Sequence, residues 1–261
     1  RMTSLRVALV QMDIEDGVVE RNLTRAGDLI DAHPGAQLYL LPELWSSGYV
    51  HDQWPVLAKD TTPGVLESLR RIAKRHGATI GGTLISLNDH AQLVNRFWLV
   101  GEEGVLGCYD KAHLFAPMDE PKHLTPGSRR QRLPVGEWTA ALSICYDLRF
   151  PEMYRLDAVD GANLFLVPSE WPAERAEAMR ALAVARAIEN QAYLALTNRV
   201  GVARDGTRFG GGSLIAGPGG EIVAAAGDQP GVATGVLELS RITEARGGMA
   251  HYARRRPGVD Y

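Results

Sequence analysis

Leu142-Ser143-Ile144-Cys145-Tyr146-Asp147-Leu148-Arg149-Phe150-Pro151-Glu152 decides how this chain is read. The apolar run over 138–144 predicts a buried strand. Pro151, suited to the first turn of a helix, opens a helix that Gly161 closes. A cysteine therefore sits at the corner between a strand and a helix. Strand ends that open into loops are where α/β sheets place reactive groups. A sharp turn there would project the sulfur beside main-chain N–H groups, as a nucleophile elbow does.

The same alternation continues on either side. Toward the N-terminus, Val7-Ala8-Leu9-Val10 and Leu38-Tyr39-Leu40-Leu41 read as buried strands, with a helical pattern over 22–32 between them and Pro42 ending the second. Thr62-Pro63 predicts a helix cap and first residue, Leu66, Leu69, Ile72 and Ala73 its apolar face, and Gly77 its end. Strands are expected over 79–87, 93–100 and 105–109, the last two joined by the turn Gly101-Glu102-Glu103-Gly104. The middle, 111–127, is irregular. Past the elbow come a strand over 164–167, an alanine-rich helix over 174–190, and strands over 193–197, 212–216, 222–225 and 233–239. No linker or shift of composition divides the chain. It is expected to form one mixed α/β domain over 1–261, with two rough α-β-β halves and no repeat at the residue level.

Composition narrows the function. With 45% hydrophobic residues in 261, there is material for a sizeable core. A net charge of −3 argues against a nucleic-acid binder, which would carry a basic footprint. No apolar run approaches the roughly 20 residues of a membrane span. Arg1-Met2-Thr3-Ser4 lacks the apolar stretch of a signal peptide, and an arginine ahead of methionine reads as an addition. Cys108 and Cys145 cannot make a disulfide framework, so a reducing cytoplasm is the expected compartment. The histidines are scattered without metal-ligand spacing, so no metal is expected. The cluster Phe209-Gly210-Gly211-Gly212-Ser213 lacks the lysine of a phosphate loop and reads as a tight turn into a strand.

Two further ionisable residues share the strand-end setting of Cys145. Glu43 follows Leu40-Leu41-Pro42, and Lys111 follows Cys108-Tyr109-Asp110. Only four of the 28 basic residues are lysines, which favours a task for Lys111 that arginine would not serve. Taken singly, each has an ordinary reading: a core cysteine, a solvated carboxylate and a surface lysine.

Together with their neighbours they say more. Leu41-Pro42-Glu43-Leu44, Tyr109-Asp110-Lys111-Ala112-His113-Leu114-Phe115 and Cys145-Tyr146-Asp147-Leu148-Arg149-Phe150-Pro151-Glu152 resemble, in order and spacing, the three signature segments of the nitrilase superfamily of carbon–nitrogen hydrolases. Val7-Ala8-Leu9-Val10-Gln11-Met12 and Ala185-Arg186-Ala187-Ile188-Glu189-Asn190-Gln191 extend the likeness over nearly the whole chain. The resemblance implies a four-layer α-β-β-α sandwich and a homodimer built by stacking two of them. It implies Cys145 as nucleophile, Glu43 as general base and acid, and Lys111 as electrostatic stabiliser, with no cofactor. A second glutamate of the family falls on Glu120, nine residues beyond Lys111, with Asp119 beside it as the alternative. The chemistry agrees. A thiol of pKa about 8.5 is mostly protonated at neutral pH and needs a carboxylate to take its proton. The developing oxyanion needs donors such as an ammonium and the Tyr146 N–H, each worth about 3–4 kcal/mol.

Pro168-Ser169-Glu170-Trp171-Pro172-Ala173 and Asn198-Arg199-Val200-Gly201 are most similar to the omega-amidase branch, which deaminates the terminal amide of 2-oxoglutaramate and 2-oxosuccinamate. Trp171, Asn198 and Arg199 are thereby expected to bind substrate, along with Tyr146 at the oxyanion. The expected activity is hydrolysis of a small amide through a cysteine thioester, releasing ammonia. The loop Asp119-Glu120-Pro121-Lys122 departs from that branch. This leaves open a broader aliphatic amidase, a deaminated-glutathione amidase-like enzyme, a true nitrilase or a catalytically silent binding relative. An Asp147–Arg149 salt bridge is expected to order the elbow, and an Arg186–Glu189 pair to lie beneath it. The tail over 250–261, with Arg254-Arg255-Arg256, Pro257 and Tyr261, is similar to tails that reach across a dimer interface in the family.

Overall fold

Leu5, Val7 and Leu9 point to one side of the first strand and Ala8, Val10 and Met12 to the other, and both sides are buried. That two-residue alternation with no polar face requires a covering layer on each side. The computed structural model, which describes residues 3–256, 258 and 259, supplies both. Strands β1 (Ser4–Gln11), β2 (Leu38–Leu40), β3 (Thr79–Leu87), β4 (Leu93–Gly101) and β5 (Gly104–Asp110) belong to one sheet. Strands β6 (Gln131–Val135), β7 (Trp138–Leu142), β8 (Leu164–Ser169) and β9 (Tyr193–Asn198) belong to a second. β10 (Val200–Val202) and β11 (Arg208–Gly210) form a small ribbon. β12 (Leu214–Ala216) and β13 (Ile222–Ala225) complete the second sheet, and β14 (Gly231–Glu238) returns to the edge of the first beside β1.

Ala8, Val10, Met12, Tyr39 and Leu41 pack against the helices Val19–Ala32 and Thr62–His76, through Ala26, Ile30, Val65, Leu69 and Ile72. Leu5, Val7, Leu9, Leu38 and Leu40 join a larger core with Trp138, Ala140, Leu164 and Leu166 of the second sheet. That core continues to Met153 and Ala158 of the helix Pro151–Val159 and to Met179, Ala183 and Ala187 of the helix Ala176–Asn190. The result is the expected helix–sheet–sheet–helix sandwich.

The two sheets share one wiring. The first runs β14-β1-β2-β3-β4-β5 with pairings antiparallel, parallel, parallel, antiparallel, antiparallel. The second, read as β6-β7-β8-β9-β12-β13, has the same series. β2 and β8 therefore occupy matching central positions, and their C-terminal ends point to one crevice.

Some expectations change. The α-helix ending at Gly77 starts at Thr62 as expected, but it continues a helical run that begins at Trp54 and passes through a wide π-type turn, Leu57–Thr61. The Thr62 hydroxyl donates to the Ile85 carbonyl at 2.7 Å instead of capping. β6 was not foreseen because Gln131, Arg132 and Pro134 break its apolar pattern; it is an edge strand, where proline is tolerated. The helix Leu239–Met249 also escapes a periodicity search, since only Ile242 in it is buried. Pro257 and Tyr261 of the proposed tail lie outside the described residues.

Candidate active site

Glu43 lies in the loop after β2. Leu44, directly after it, adopts φ +40°, a left-handed conformation costly for a branched side chain. The Leu44 N–H is held there by Thr83 Oγ1 at 2.7 Å, and Trp45 settles onto β3 over Gly82. A Cβ at Gly82 would lie 2.9 Å from Leu41 and 3.0 Å from Trp45, so only glycine admits this packing. The Glu43 carboxylate is fully buried. Its Oε1 accepts from Lys111 Nζ at 2.7 Å and Asn95 Nδ2 at 2.8 Å, and the Tyr49 hydroxyl lies 3.3 Å from it. Its Oε2 accepts from the Glu170 main-chain N–H at 3.1 Å.

Lys111 ends the edge strand β5, where its N–H donates to the Asn95 carbonyl at 3.0 Å and its carbonyl accepts from Gly127 at 2.8 Å. Its ammonium, also buried, bridges Glu43 and Glu120 at 2.7 and 2.8 Å. Burial disfavours the charged lysine, but the Glu120 and Glu43 carboxylates outweigh it and raise the pKa. Glu120 also accepts from the Tyr49 hydroxyl at 2.7 Å and the Phe115 N–H at 2.6 Å. The neighbouring Asp119 instead faces solvent in an ion pair with Lys122. Asp119 has φ +59° and turns the chain into the short helix Glu120–His123, whose first turn contains Pro121. Proline suits that position, which explains why the loop carries it.

Cys145 has φ +43° and begins the tight turn Cys145–Arg149. Among the described residues, three of the five non-glycine residues with left-handed φ thus stand at or beside Glu43, Glu120 and Cys145. The elbow is held from below. Asp147 accepts from the Ile144 N–H at 2.9 Å, the Tyr109 hydroxyl at 2.8 Å, and the His113 main-chain N–H and ring at 3.0 and 2.7 Å. Arg186 Nε donates to the Leu148 carbonyl at 3.1 Å and pairs with Glu189 at 3.0 Å, as expected. The expected Asp147–Arg149 salt bridge does not form. Tyr109 and His113 take the aspartate, while exposed Arg149 lies 4.9 Å over the Trp171 ring.

The Cys145 thiol lies beside the Glu43 carboxylate, and each acts on the other's proton affinity. Burial raises its pKa well above the ordinary thiol value; the Glu43 charge adds to this and Lys111 opposes it. Burial likewise raises Glu43, with Lys111 opposing and Glu120 reinforcing. The resting pair is therefore a thiol beside a carboxylate primed to accept its proton. Cys145 lines a narrow cleft with Tyr49, Phe115, Tyr146, Arg149, Glu170 and Trp171, among others, and Glu43 lies buried behind it.

Asn198 and Arg199 do not line this cleft. Asn198 is spent on main chain: Oδ1 accepts from Trp171 N–H at 2.8 Å, and Nδ2 donates to the carbonyls of Trp171 and Gly211 at 3.1 and 2.9 Å. Arg199 is fully buried behind Glu170, 3.1 Å from its carboxylate. Both are supports of the wall, not substrate contacts. Tyr49, Asn95 and Glu170 were missed. Asn95 is legible in hindsight as a polar residue inside an apolar strand, and Glu170 as a second strand-end glutamate; Tyr49 carries no such mark. Among the described residues no cluster of histidine, cysteine, aspartate or glutamate could hold a metal ion, and no helix is long and apolar enough to cross a membrane.

Comparison with known proteins agrees with this geometry. The chain is 33% identical over 242 residues to a 2-oxoglutaramate amidase of Bacillus subtilis, covering 92% of this chain and 93% of that one. It is 35% identical over 232 residues to the omega-amidase YafV of Yersinia enterocolitica, covering 89% and 88%. XC1258 of Xanthomonas campestris, a CN-hydrolase superfamily protein with an arsenic adduct in its active site, superposes with a TM-score of 0.91 at 29% identity over 99% of both chains. A variant amidase of Nesterenkonia sp. AN1, with acrylamide added at its active-site cysteine, superposes with a TM-score of 0.83 at 30% identity, covering 94% and 98%. The family model for carbon-nitrogen hydrolases matches residues 6–247, and the chain belongs to that family.

Proposed function

We propose that the protein is an amidase of the omega-amidase type, acting as one domain on a small linear amide that carries a carboxylate away from the scissile end. The observation that carries this reading is the convergence of buried Glu43, Lys111 and Glu120 behind Cys145, which lines a small cleft together with Arg149 and Arg175. The naming of the amidases cited above for 2-oxoglutaramate or omega-amides supports the substrate class.

In this mechanism Glu43 takes the Cys145 proton as sulfur attacks the amide carbon. The amide oxygen becomes an oxyanion. Lys111 has three N–H donors, and two are committed to Glu43 and Glu120. The third, with the Tyr146 N–H, stabilises that oxygen. Glu120 keeps the ammonium aimed. Glu43 then passes its proton to the leaving nitrogen and ammonia departs, leaving a thioester. Water, deprotonated by Glu43, attacks the thioester; the acid is released and the thiol restored. Trp171 and the arginine stacked on it form the wall against which the substrate's far end lies.

Ammonia release from 2-oxoglutaramate, an uncharged aliphatic amide and an aliphatic nitrile tests this directly. The expected order places 2-oxoglutaramate first; preference for the nitrile overturns the amidase reading, and equal turnover of the uncharged amide removes the carboxylate requirement. Cys145→Ala should abolish turnover while leaving the thermal unfolding transition in place. A homodimer through the helices Pro151–Val159 and Ala176–Asn190 fits their exposed Leu156, Val159 and Ile188, and sedimentation would read it. The two free cysteines suit a reducing cytoplasm.

A further inference from the structure

Asn198 and Arg199 leave β9 side by side and end on Trp171 and Glu170, also side by side. Asn198 pins the Trp171 main chain from both its N–H and its carbonyl. Arg199 pins the Glu170 side chain: Nη1 donates to Oε2 at 3.1 Å. The guanidinium is itself immobilised, donating to the Ile14 carbonyl at 2.7 Å and to Asp16 at 3.4 Å, with its face 4.5 Å from the Phe209 ring centroid. Between these anchors lies the Glu170 N–H. It donates to Glu43 Oε2 at 3.1 Å, beside the Cys145 thiol.

That N–H matters because of how the other Glu43 oxygen is occupied. Oε1 already takes two donors, from Lys111 and Asn95, and the Tyr49 hydroxyl, whose one proton goes to Glu120, crowds it at 3.3 Å. Oε2 is the oxygen with capacity left for a proton, and the Glu170 N–H fixes where its lone pairs point. We propose that Glu170 is a positioning residue: clamped by Arg199, it sets the main-chain N–H that orients the proton-accepting oxygen of Glu43 toward Cys145. This rests on the amidase reading above and assigns Glu170 a place in its chemical step.

The side chain has an electrostatic role in the same device. Glu170 is faced by Arg199 from the end of β9, Glu43 from the end of β2, Asp16 from the loop after β1, and Tyr49 from the loop after Glu43. Burial pushes its carboxyl up to about 8, with Arg199 opposing and Glu43 reinforcing. Its Oε1 has no hydrogen-bond partner among the described residues. At neutral pH it is protonated and adds no charge beside Glu43. Above that range it ionises and opposes formation of the thiolate.

The test compares Glu170→Leu and Glu170→Gln with the wild-type chain on 2-oxoglutaramate. Glu170→Leu removes the acceptor for Arg199. Its kcat should fall by about 10- to 100-fold with KM within about twofold, because a misaligned base slows chemistry and not binding. Glu170→Gln keeps an acceptor oxygen, so kcat at about pH 6.5 should stay within about threefold while the loss of rate above about pH 8 is relieved. A wild-type kcat in Glu170→Leu, or a rise in KM alone, overturns the proposal. Should the leucine variant not fold, an unaltered alkaline limb in Glu170→Gln overturns it. If the wild-type chain turns over no amide, the functional reading fails separately. Iodoacetamide labelling of Cys145 then decides: slower alkylation in Glu170→Leu supports the positioning role, and an equal rate overturns it.

Discussion

The ends of β2 and β8 make a comparison inside one molecule. Both are central strands with the same neighbours in the same directions, and each ends on a buried glutamate, Glu43 or Glu170. Each glutamate is matched to a buried cation, Lys111 or Arg199. The consequences differ. Lysine presents a compact ammonium with a donor to spare, and its pair lies directly behind Cys145. Arginine spreads over a planar fork, and here that fork ties together Ile14, Asp16 and Glu170 behind the cleft wall. In the proposed mechanism one strand end therefore handles protons and its counterpart holds position. Matching topology supplies equivalent places, and the choice of cation decides what each place does.

Substitution of the two glutamates should break the symmetry most sharply. Glu43→Gln should lower kcat by about 10²–10⁴-fold in a chain that still folds, as loss of a general base does, whereas Glu170→Gln should lower it only slightly near neutral pH. Steady-state ammonia release measures both, and comparable losses would erase the distinction.

The cations should differ in stability. Lys111→Met leaves the Glu43 and Glu120 carboxylates buried without their counter-charge, which should cost about 3–5 kcal/mol in denaturant unfolding. Arg199→Met should cost less, because Glu170 already tends to the neutral form. A larger loss for Arg199→Met would show that the support, not the chemistry, is the fragile half.

Proton linkage sharpens this further. Burial pushes the Glu170 carboxyl in the folded chain up to about 8, against an ordinary glutamate value of 4.5. The folded state therefore binds more protons between those values, and this contribution to stability is full below 4.5 and lost as pH rises through about 8. Thermal unfolding should decline across that window in the wild type and decline less in Glu170→Gln. Parallel curves would place the ionised form in the folded protein.

The smallest contrast lies one strand over, at Thr83 and Thr197, which sit at corresponding points of β3 and β9. Thr83 Oγ1 accepts from Leu44 N–H, and Thr197 Oγ1 donates to the Leu40 carbonyl at 3.0 Å. Thr83→Val and Thr197→Val should each cost about 1 kcal/mol in unfolding. Only Thr83→Val should also reduce kcat, because Leu44 adjoins Glu43.

Much of this was legible in the chain itself. Apolar runs marked most strands of both sheets, since strands buried on two faces need no polar positions. Gly77 and Pro151 marked helix ends through their backbone preferences. Glu43, Lys111 and Cys145 were legible because each follows a strand within a recognisable segment. What stayed hidden was set by distant contacts. Nothing local to Asp147 says that Tyr109 and His113, not Arg149, will satisfy it. Arg199 and Asn198 were expected to contact substrate because their segment resembles the omega-amidase branch, and a resemblance does not say which way a side chain turns. The chain returning through Ile14 and Asp16 covers Arg199, and the main chain of Trp171 and Gly211 takes up Asn198. β6 and the helix Leu239–Met249 lack periodic apolar faces and are held in place by their neighbours.

Glu43 and Lys111 belong to the first sheet, while Cys145 and Glu170 belong to the second. Neither half alone contains a working centre. During synthesis the cysteine would emerge as an ordinary thiol, gaining its reactive surroundings only once the two sheets have closed on each other. Assembly of the sandwich thus doubles as a safeguard, withholding hydrolytic power from an unfinished polypeptide.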